Sequence, residues 1–164
     1  MRLKIFLAVA ATLLLAACAK DAVAPASAPV QAPAAIDLVL HVQAIAGLNP
    51  GADGQPAPVR VRLFELKNAA VFSRADYFAL ADKAQTTLGN DLVDQDEVLI
   101  QPGEYQKVTR HLNPATRQLG LVVGYRELDR AVWREVIPVS PGQGDEIQIS
   151  LDVRAVRSAP VVAP

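Results

Sequence analysis

The sequence predicts an all-β sandwich with one inserted helix, carried behind a secretory signal and an extended tether. Three observations predict it. Between residues 36 and 153, apolar and polar residues mostly alternate with period two, as in strands with one dry and one wet face. Short turn signals rich in Pro and Gly separate these stretches. One segment near the middle switches to helical spacing.

The first residues set the compartment. Arg2 and Lys4 precede an apolar run from Ile5 to Leu15, interrupted only by Thr12, and Leu15-Ala16-Ala17-Cys18 follows. A charged start, an apolar middle and small residues at the cut are the layout of a secretory signal. The run falls short of the roughly 20 residues that span a bilayer. A buried helix, or an ordinary cleaved signal with a chance cysteine, are the competing readings. Cys18 is the only cysteine, so no internal disulfide is available. Leu-Ala-Ala-Cys resembles the bacterial lipobox. That resemblance implies a thioether to diacylglycerol on Cys18, cleavage before it and an acyl chain on the new amine. One chain holds marginally, at about 0.8 kcal/mol per buried CH₂, whereas two or three make a durable anchor. Ala19 follows the cysteine in place of the aspartate that commonly retains lipoproteins at the inner membrane. The implied address is the inner leaflet of the outer membrane, facing the periplasm. Beyond the covalent diacylglycerol and N-acyl chain, no cofactor is expected.

Removing 17 of 164 residues leaves 147, enough for one domain with a real core. Without Arg2 and Lys4, 14 basic residues face 17 acidic ones, a formal charge of −3. There is no basic excess to hold nucleic acid. Residues 1–17 are read as the signal and 18–35 as the lipidated cysteine and its tether. Residues 36–154 are read as the sandwich and 155–164 as a disordered tail.

The tether is almost entirely Ala, Pro, Val and Ser, with Pro25, Pro29 and Pro33 at a spacing of four. Such a stretch cannot pack a core, and extended it reaches on the order of 50 Å. In the first strand, Ile36, Leu38, Leu40, Val42 and Ala44 alternate with Asp37, Val39, His41 and Gln43. Val59, Val61 and Leu63 alternate with Arg60 and Arg62, and Ile147, Ile149, Leu151 and Val153 with Glu146, Gln148, Ser150 and Asp152. Weaker strands are Glu97 to Gln101, Tyr105 to Leu112, Gln118 to Arg126 and Val132 to Val139. Pro102-Gly103, Asn113-Pro114 and Pro141-Gly142-Gln143-Gly144 supply turns. Seven short strands of this kind predict a sandwich. Ser73-Arg74-Ala75-Asp76 fits a capping box with Ser73 as N-cap, and Phe72 and Tyr77 take the staple positions. Tyr77, Leu80, Ala81, Ala84 and Leu88 follow at helical spacing, and Gly89 can close a helix of about three to four turns. Its apolar stripe is expected to pack on the sandwich.

Sites of known chemistry are missing from the sequence. His41 and His111 are the only histidines, fall in separate strands and lack ligand spacing, so sheet-face positions are expected. Asp91, Asp94, Asp96 and Glu97 form an acidic run without EF-hand spacing or its central glycine, and a solvated loop is expected. No phosphate loop, HExxH or GxSxG occurs. Trp133 fits core packing, with a partner contact as the alternative. An enzyme reading has no residues to rest on.

The connection Ala46 to Pro58 reads AGLNPGADGQPAP and far exceeds a tight hairpin of two to five residues. A long loop on a compact domain is either a binding loop or an idle one. Here the chain resembles a known family. The resemblance runs through Leu48-Asn49-Pro50, Gly54-Gln55-Pro56-Ala57-Pro58-Val59-Arg60-Val61-Arg62 and Phe64-Glu65-Leu66. It continues through Phe72, Ala75-Asp76-Tyr77-Phe78-Ala79-Leu80, Leu88-Gly89, Pro102-Gly103-Glu104 and Leu119-Gly120-Leu121-Val122-Val123. It closes at Tyr125-Arg126-Glu127-Leu128-Asp129-Arg130-Ala131-Val132-Trp133-Arg134. In order, these pieces are similar to the type VI secretion lipoprotein family TssJ (VasD/SciN). Tyr77 stands where phenylalanine is more usual there, and Glu127 where aspartate is common. The resemblance implies a transthyretin-like sandwich of two four-stranded sheets with a helical insertion. It implies a non-catalytic outer-membrane anchor for the periplasmic C-terminal domain of TssM, with TssL in the same complex. Its contact loop, carried onto this chain, comprises Leu48, Asn49, Pro50, Asp53, Gly54, Gln55 and Pro56. The rival reading is a periplasmic lipoprotein binding a small molecule or glycan, which would need an aromatic-lined pocket from only eight aromatic residues.

Overall fold

The computed structural model describes residues 36–140 and 145–161. The expected signal, Cys18, the tether, the Pro141-Gly142-Gln143-Gly144 turn and residues 162–164 lie outside the described residues.

Eight strands form two four-stranded sheets. They are β1 (Ile36–Ala44), β2 (Val59–Leu66), β3 (Leu92–Ile100), β4 (Tyr105–Leu112), β5 (Gln118–Val123), β6 (Arg134–Pro138), β7 (Asp145–Leu151) and β8 (Val156–Pro160). One sheet runs β4-β1-β7-β8 and the other β3-β2-β5-β6. Only β1 and β7 pair in parallel, with Leu40 opposite Ile147; the other named pairs are antiparallel.

The alternating residues meet between the sheets. Leu38, Leu40 and Val42 of β1 and Ile147, Ile149 and Leu151 of β7 share one core with Val61 and Leu63 of β2 and Leu119 and Leu121 of β5. Burying each such side chain is worth about 1.5–3 kcal/mol. Asp37, Gln43 and Glu146 stay outside, as period two requires.

Part of the second sheet's other face is dry too. Phe64 and Leu66 of β2 and Val122 of β5 form a second core beneath the inserted helices α1 (Ala70–Arg74) and α2 (Tyr77–Leu88). Residues 119–123 are therefore all buried, and the alternation that marks other strands is lost there. Phe72 of α1 drops onto β5 at Gly120, its ring centroid 5.6 Å from that of Phe64. Glu65 is also buried, and accepts bonds from the Asn113 amide at 2.9 Å and the Thr116 hydroxyl at 2.7 Å, tying down the β4–β5 connection.

Four expectations are corrected. Ser73 does not cap the long helix, because it lies within α1. The chain turns extended at Ala75, and Asp76 caps α2 by accepting from the Ala79 amide at 2.9 Å. Phe72 packs on the sheet instead of stapling that helix. Helix α2 also breaks at Lys83, where φ is −136°, and Thr87 Oγ1 folds back to donate to the Ala79 carbonyl at 3.0 Å. Next, the acidic run is strand: Asp94, Asp96 and Glu97 belong to β3, with only Asp91 in the preceding turn. Basic partners make this possible, since Glu97 lies near Arg60 and Arg62 and Asp96 pairs with Arg110. The Arg110 hydrogen bond holds the Asp96 carboxyl below its ordinary pKa. Charge of this kind protects a sheet edge. Lastly, the supposed tail 155–164 contains the eighth strand. Val156 is fully buried, and Ser158 Oγ donates to Glu135 of β6 at 2.7 Å. Pro160 is tolerated because β8 is an edge.

A Cβ at Gly120 would stand 2.6 Å from Phe72 Cζ and 2.8 Å from Cε2. Gly120→Ala should therefore destabilise the fold by about 1–3 kcal/mol through overpacking. Equilibrium denaturation checks this, and an unchanged midpoint would show that Phe72 does not press on the sheet.

Candidate partner-docking end of the sandwich

The strand pairings bring four connections to one end: residues 45–58, 101–104, 124–133 and 152–155. Their backbones bond to one another. The Gly103 amide donates to the Ile45 carbonyl at 3.0 Å, the Asn49 amide to Val153 at 3.1 Å and the Val132 amide to Arg154 at 2.9 Å.

The β1–β2 loop has a buried base and an exposed tip. Leu48, Asn49 and Ala57 are buried, and the Ala57 amide donates to the Leu48 carbonyl at 3.0 Å. Asn49 adopts φ 49°, a left-handed conformation that asparagine tolerates better than most residues. Its side-chain amide donates to the Pro58 carbonyl at 3.0 Å, and its carbonyl accepts from the Arg126 amide at 2.8 Å. One buried side chain thus closes the loop and locks it to the β5–β6 connection. The tip supplies its own bonds: Gly51 amide to Gln55 carbonyl, Gly54 amide to Gly51 carbonyl, and Gln55 amide to Asp53 Oδ1 at 3.1 Å. Gly54 holds φ 75° within that turn. A loop ordered before it meets a partner loses less entropy on docking.

Of the residues expected to touch a partner, Asp53, Gly54, Gln55 and Pro56 are exposed at the tip, and Pro50 is half-buried. Leu48 and Asn49 face inward and act as the loop's foundation. Sequence reasoning missed Arg126 and Glu127 beside them. Glu127 accepts from Arg154 Nε at 2.8 Å and lies 3.8 Å from Arg130. The Arg154 bond holds its carboxyl below the usual range. Tyr125 is buried next door, its hydroxyl donating to the Asp152 carbonyl at 3.3 Å, and burial pushes its pKa up. Apart from Glu127 and Arg130, three residues apart, these partners lie far apart in the chain, so no local spacing could reveal them.

The other residues singled out in the sequence sit elsewhere. His41 Nδ1 is 2.6 Å from the Tyr105 hydroxyl and its Nε2 3.1 Å from Glu146, while His111 pairs with Asp37 at 2.6 Å. Both histidines lie on the outer face of the first sheet, each with its own carboxylate. Among the described residues no group of three or more His, Cys, Asp and Glu is placed to hold a metal. Trp133 packs against both cores, edge-on to Tyr77 at 5.5 Å, with the Arg134 guanidinium 4.8 Å from its ring centre. A cleft of about 480 Å³ beside α2 has Phe64 as its one aromatic lining residue, and that side chain is buried. A second, of about 410 Å³, lies along β6, β7 and β8 and has no aromatic lining.

These features define a rigid sandwich whose loops compose a preordered surface at one end. The chain belongs to the type VI secretion lipoprotein family (VasD, EvfM, TssJ), whose model matches residues 36–154. Among solved structures it is similar to the T6SS lipoprotein TssJ1 from Pseudomonas aeruginosa, at 48% identity and a TM-score of 0.74, covering 81% of this chain and 100% of that one. It is 30% identical to Serratia marcescens Lip, a membrane-bound component of the type VI secretion system, with a TM-score of 0.70 and coverage of 77% and 97%. It is also 28% identical, with a TM-score of 0.62 and coverage of 76% and 98%, to a chain in the structure described as the T6SS protein TssM C-terminal domain from EAEC. Among curated proteins none matches.

Asn49→Ala should cost about 1–3 kcal/mol, because it strands the Pro58 carbonyl and the Arg126 amide. A denaturant midpoint equal to wild type would refute the latch. The Glu127 pairing depends on pH. Its folded pKa is depressed, so the stability it contributes is complete above the ordinary glutamate value and is lost as pH falls through the folded one. The difference in melting temperature between wild type and Glu127→Gln should therefore shrink from about pH 6 to about pH 3. A gap that holds constant would contradict the assignment.

Proposed function

We propose that this protein is a non-catalytic outer-membrane lipoprotein that holds the periplasmic C-terminal domain of TssM within the type VI secretion membrane complex, alongside TssL. The preordered, exposed tip of the β1–β2 loop, on a chain of this family, carries the reading. The similar chain found in a TssM structure supports the choice of partner. Acyl chains on Cys18 provide the anchor, and residues 19–35 give the domain reach from an inner leaflet facing the periplasm. Pro50, Asp53, Gly54, Gln55 and Pro56 supply the contact, over Leu48 and Asn49.

Excising Gly51 to Gln55 while keeping Asn49 removes the tip and spares its foundation. Binding of the full-length lipoprotein to the TssM periplasmic domain should fall by about a hundredfold or more, as for loss of a hot spot. The melting temperature should hold. Wild-type affinity in the folded excision variant would overturn the docking assignment. In cells, Cys18→Ser should abolish palmitate labelling, and label persisting in that variant would overturn the anchor.

A further inference from the structure

Arg126 stands apart from the other arginines at the docking end. Arg130 and Arg154 share Glu127, and Arg157 pairs with Asp152 at 2.8 Å. Arg126 is exposed and, among the described residues, has no carboxylate within ion-pair distance, Asp53 included.

Its guanidinium nonetheless lies against the loop tip. The backbone amide of Arg126 is bound to Asn49. The side chain lies against the bare Cα of Gly51: a Cβ there would collide with Arg126 Nη1 and stand 2.7 Å from Asp53 Oδ1. Gly51 does not have a positive φ, so its backbone does not require glycine. The missing side chain instead leaves the seat in which the guanidinium rests.

We propose that Arg126 is a partner-binding residue whose guanidinium, seated over Gly51, receives a carboxylate of the protein docked on the loop tip. The inference rests on the TssM reading above and deepens it by assigning the partner an acidic group at this point. A planar guanidinium takes a carboxylate through two parallel N–H···O bonds, which a lysine cannot reproduce. Arginine is enriched among residues that dominate interfaces. The seat limits the side-chain freedom still to be lost on binding. The docking surface is then composite, with the β1–β2 tip supplying shape and the β5–β6 connection supplying charge.

The test is titration calorimetry of the full-length lipoprotein in detergent with the TssM periplasmic C-terminal domain, at two salt concentrations. Arg126→Ala should weaken binding about tenfold or more, and Arg126→Lys should restore only part of that. Gly51→Ala keeps both charged residues yet unseats the guanidinium, so it should weaken binding at an unchanged melting temperature. Wild-type affinity should fall as salt rises, and that dependence should flatten in Arg126→Ala. If the tip excision abolishes binding while Arg126→Ala and Gly51→Ala bind like wild type, the Arg126 inference fails and the docking reading stands. If Arg126→Ala weakens binding with the salt dependence intact, the carboxylate partner is refuted. If the folded wild-type protein does not bind TssM, both readings fall together.

Discussion

The sheet β3-β2-β5-β6 is apolar across its inner face and over part of its outer face, and covering both areas organises the rest of the molecule. One face meets the other sheet across a core built from β1, β2, β5 and β7. The other would expose Phe64, Leu66 and Val122 to water if the chain passed directly from β2 to β3. The insertion between those strands supplies Phe72, Leu80 and Leu88 to cover them. Close approach of the two layers needs a flat spot, which Gly120 provides beneath the Phe72 ring. Arg134 completes the layer from β6 by donating to the Phe72 and Ala75 carbonyls at 2.9 and 2.8 Å, groups at the end of α1 that lack helical partners.

With those areas covered, the sandwich leaves open its edges, its loop ends and the polar outer face of the sheet β4-β1-β7-β8, where His41 and His111 lie. The edges are short or charged, as on β3, or closed against a neighbour, as β8 is by the Ser158–Glu135 bond. The loop end differs, because its backbone groups are paired by other loops. A connection of this length over an apolar core must satisfy its polar groups or lose order. Asn49 solves this with one buried amide that serves two segments at once. The resulting surface is shaped before any partner arrives.

Strands with one wet face were legible from sequence, and β1 and β4 fall within the expected boundaries. Where period two fails, the signal is weaker: β5 is still expected as a strand, although residues 119–123 face two cores and do not alternate. The acidic run of β3 reads in sequence as a loop, because its countercharges come from β2 and β4. The Val156–Pro160 stretch has a tail's composition, but tertiary pairing with β7 makes it a strand. Ser73 and Asp76 both fit helix caps, and the turn at Ala75 decided between them. The unusual loop was visible in its length and its Pro and Gly. Which of its residues point outward was not, since Asn49 is held by Arg126 and Val153, which lie in connections far downstream. The partner itself came from family resemblance, not from loop chemistry.

The same non-locality explains why the docking end is larger than the loop that first draws attention. Strand β5 pairs with β2, so the connection leaving β5 emerges beside the connection entering β2. The Asn49 carbonyl joins them with a bond between residues 77 apart in sequence. Any change that moves the β5–β6 connection must then move the base of the β1–β2 loop, because the two share a buried acceptor. Glu127 extends the coupling to the β7–β8 turn through Arg154. Shape at the tip is thus set by three connections, one crossing between the sheets and one from each sheet. A residue on any of them can alter binding without touching the partner, whereas Arg126 alone combines that position with an exposed, unpaired guanidinium among the described residues.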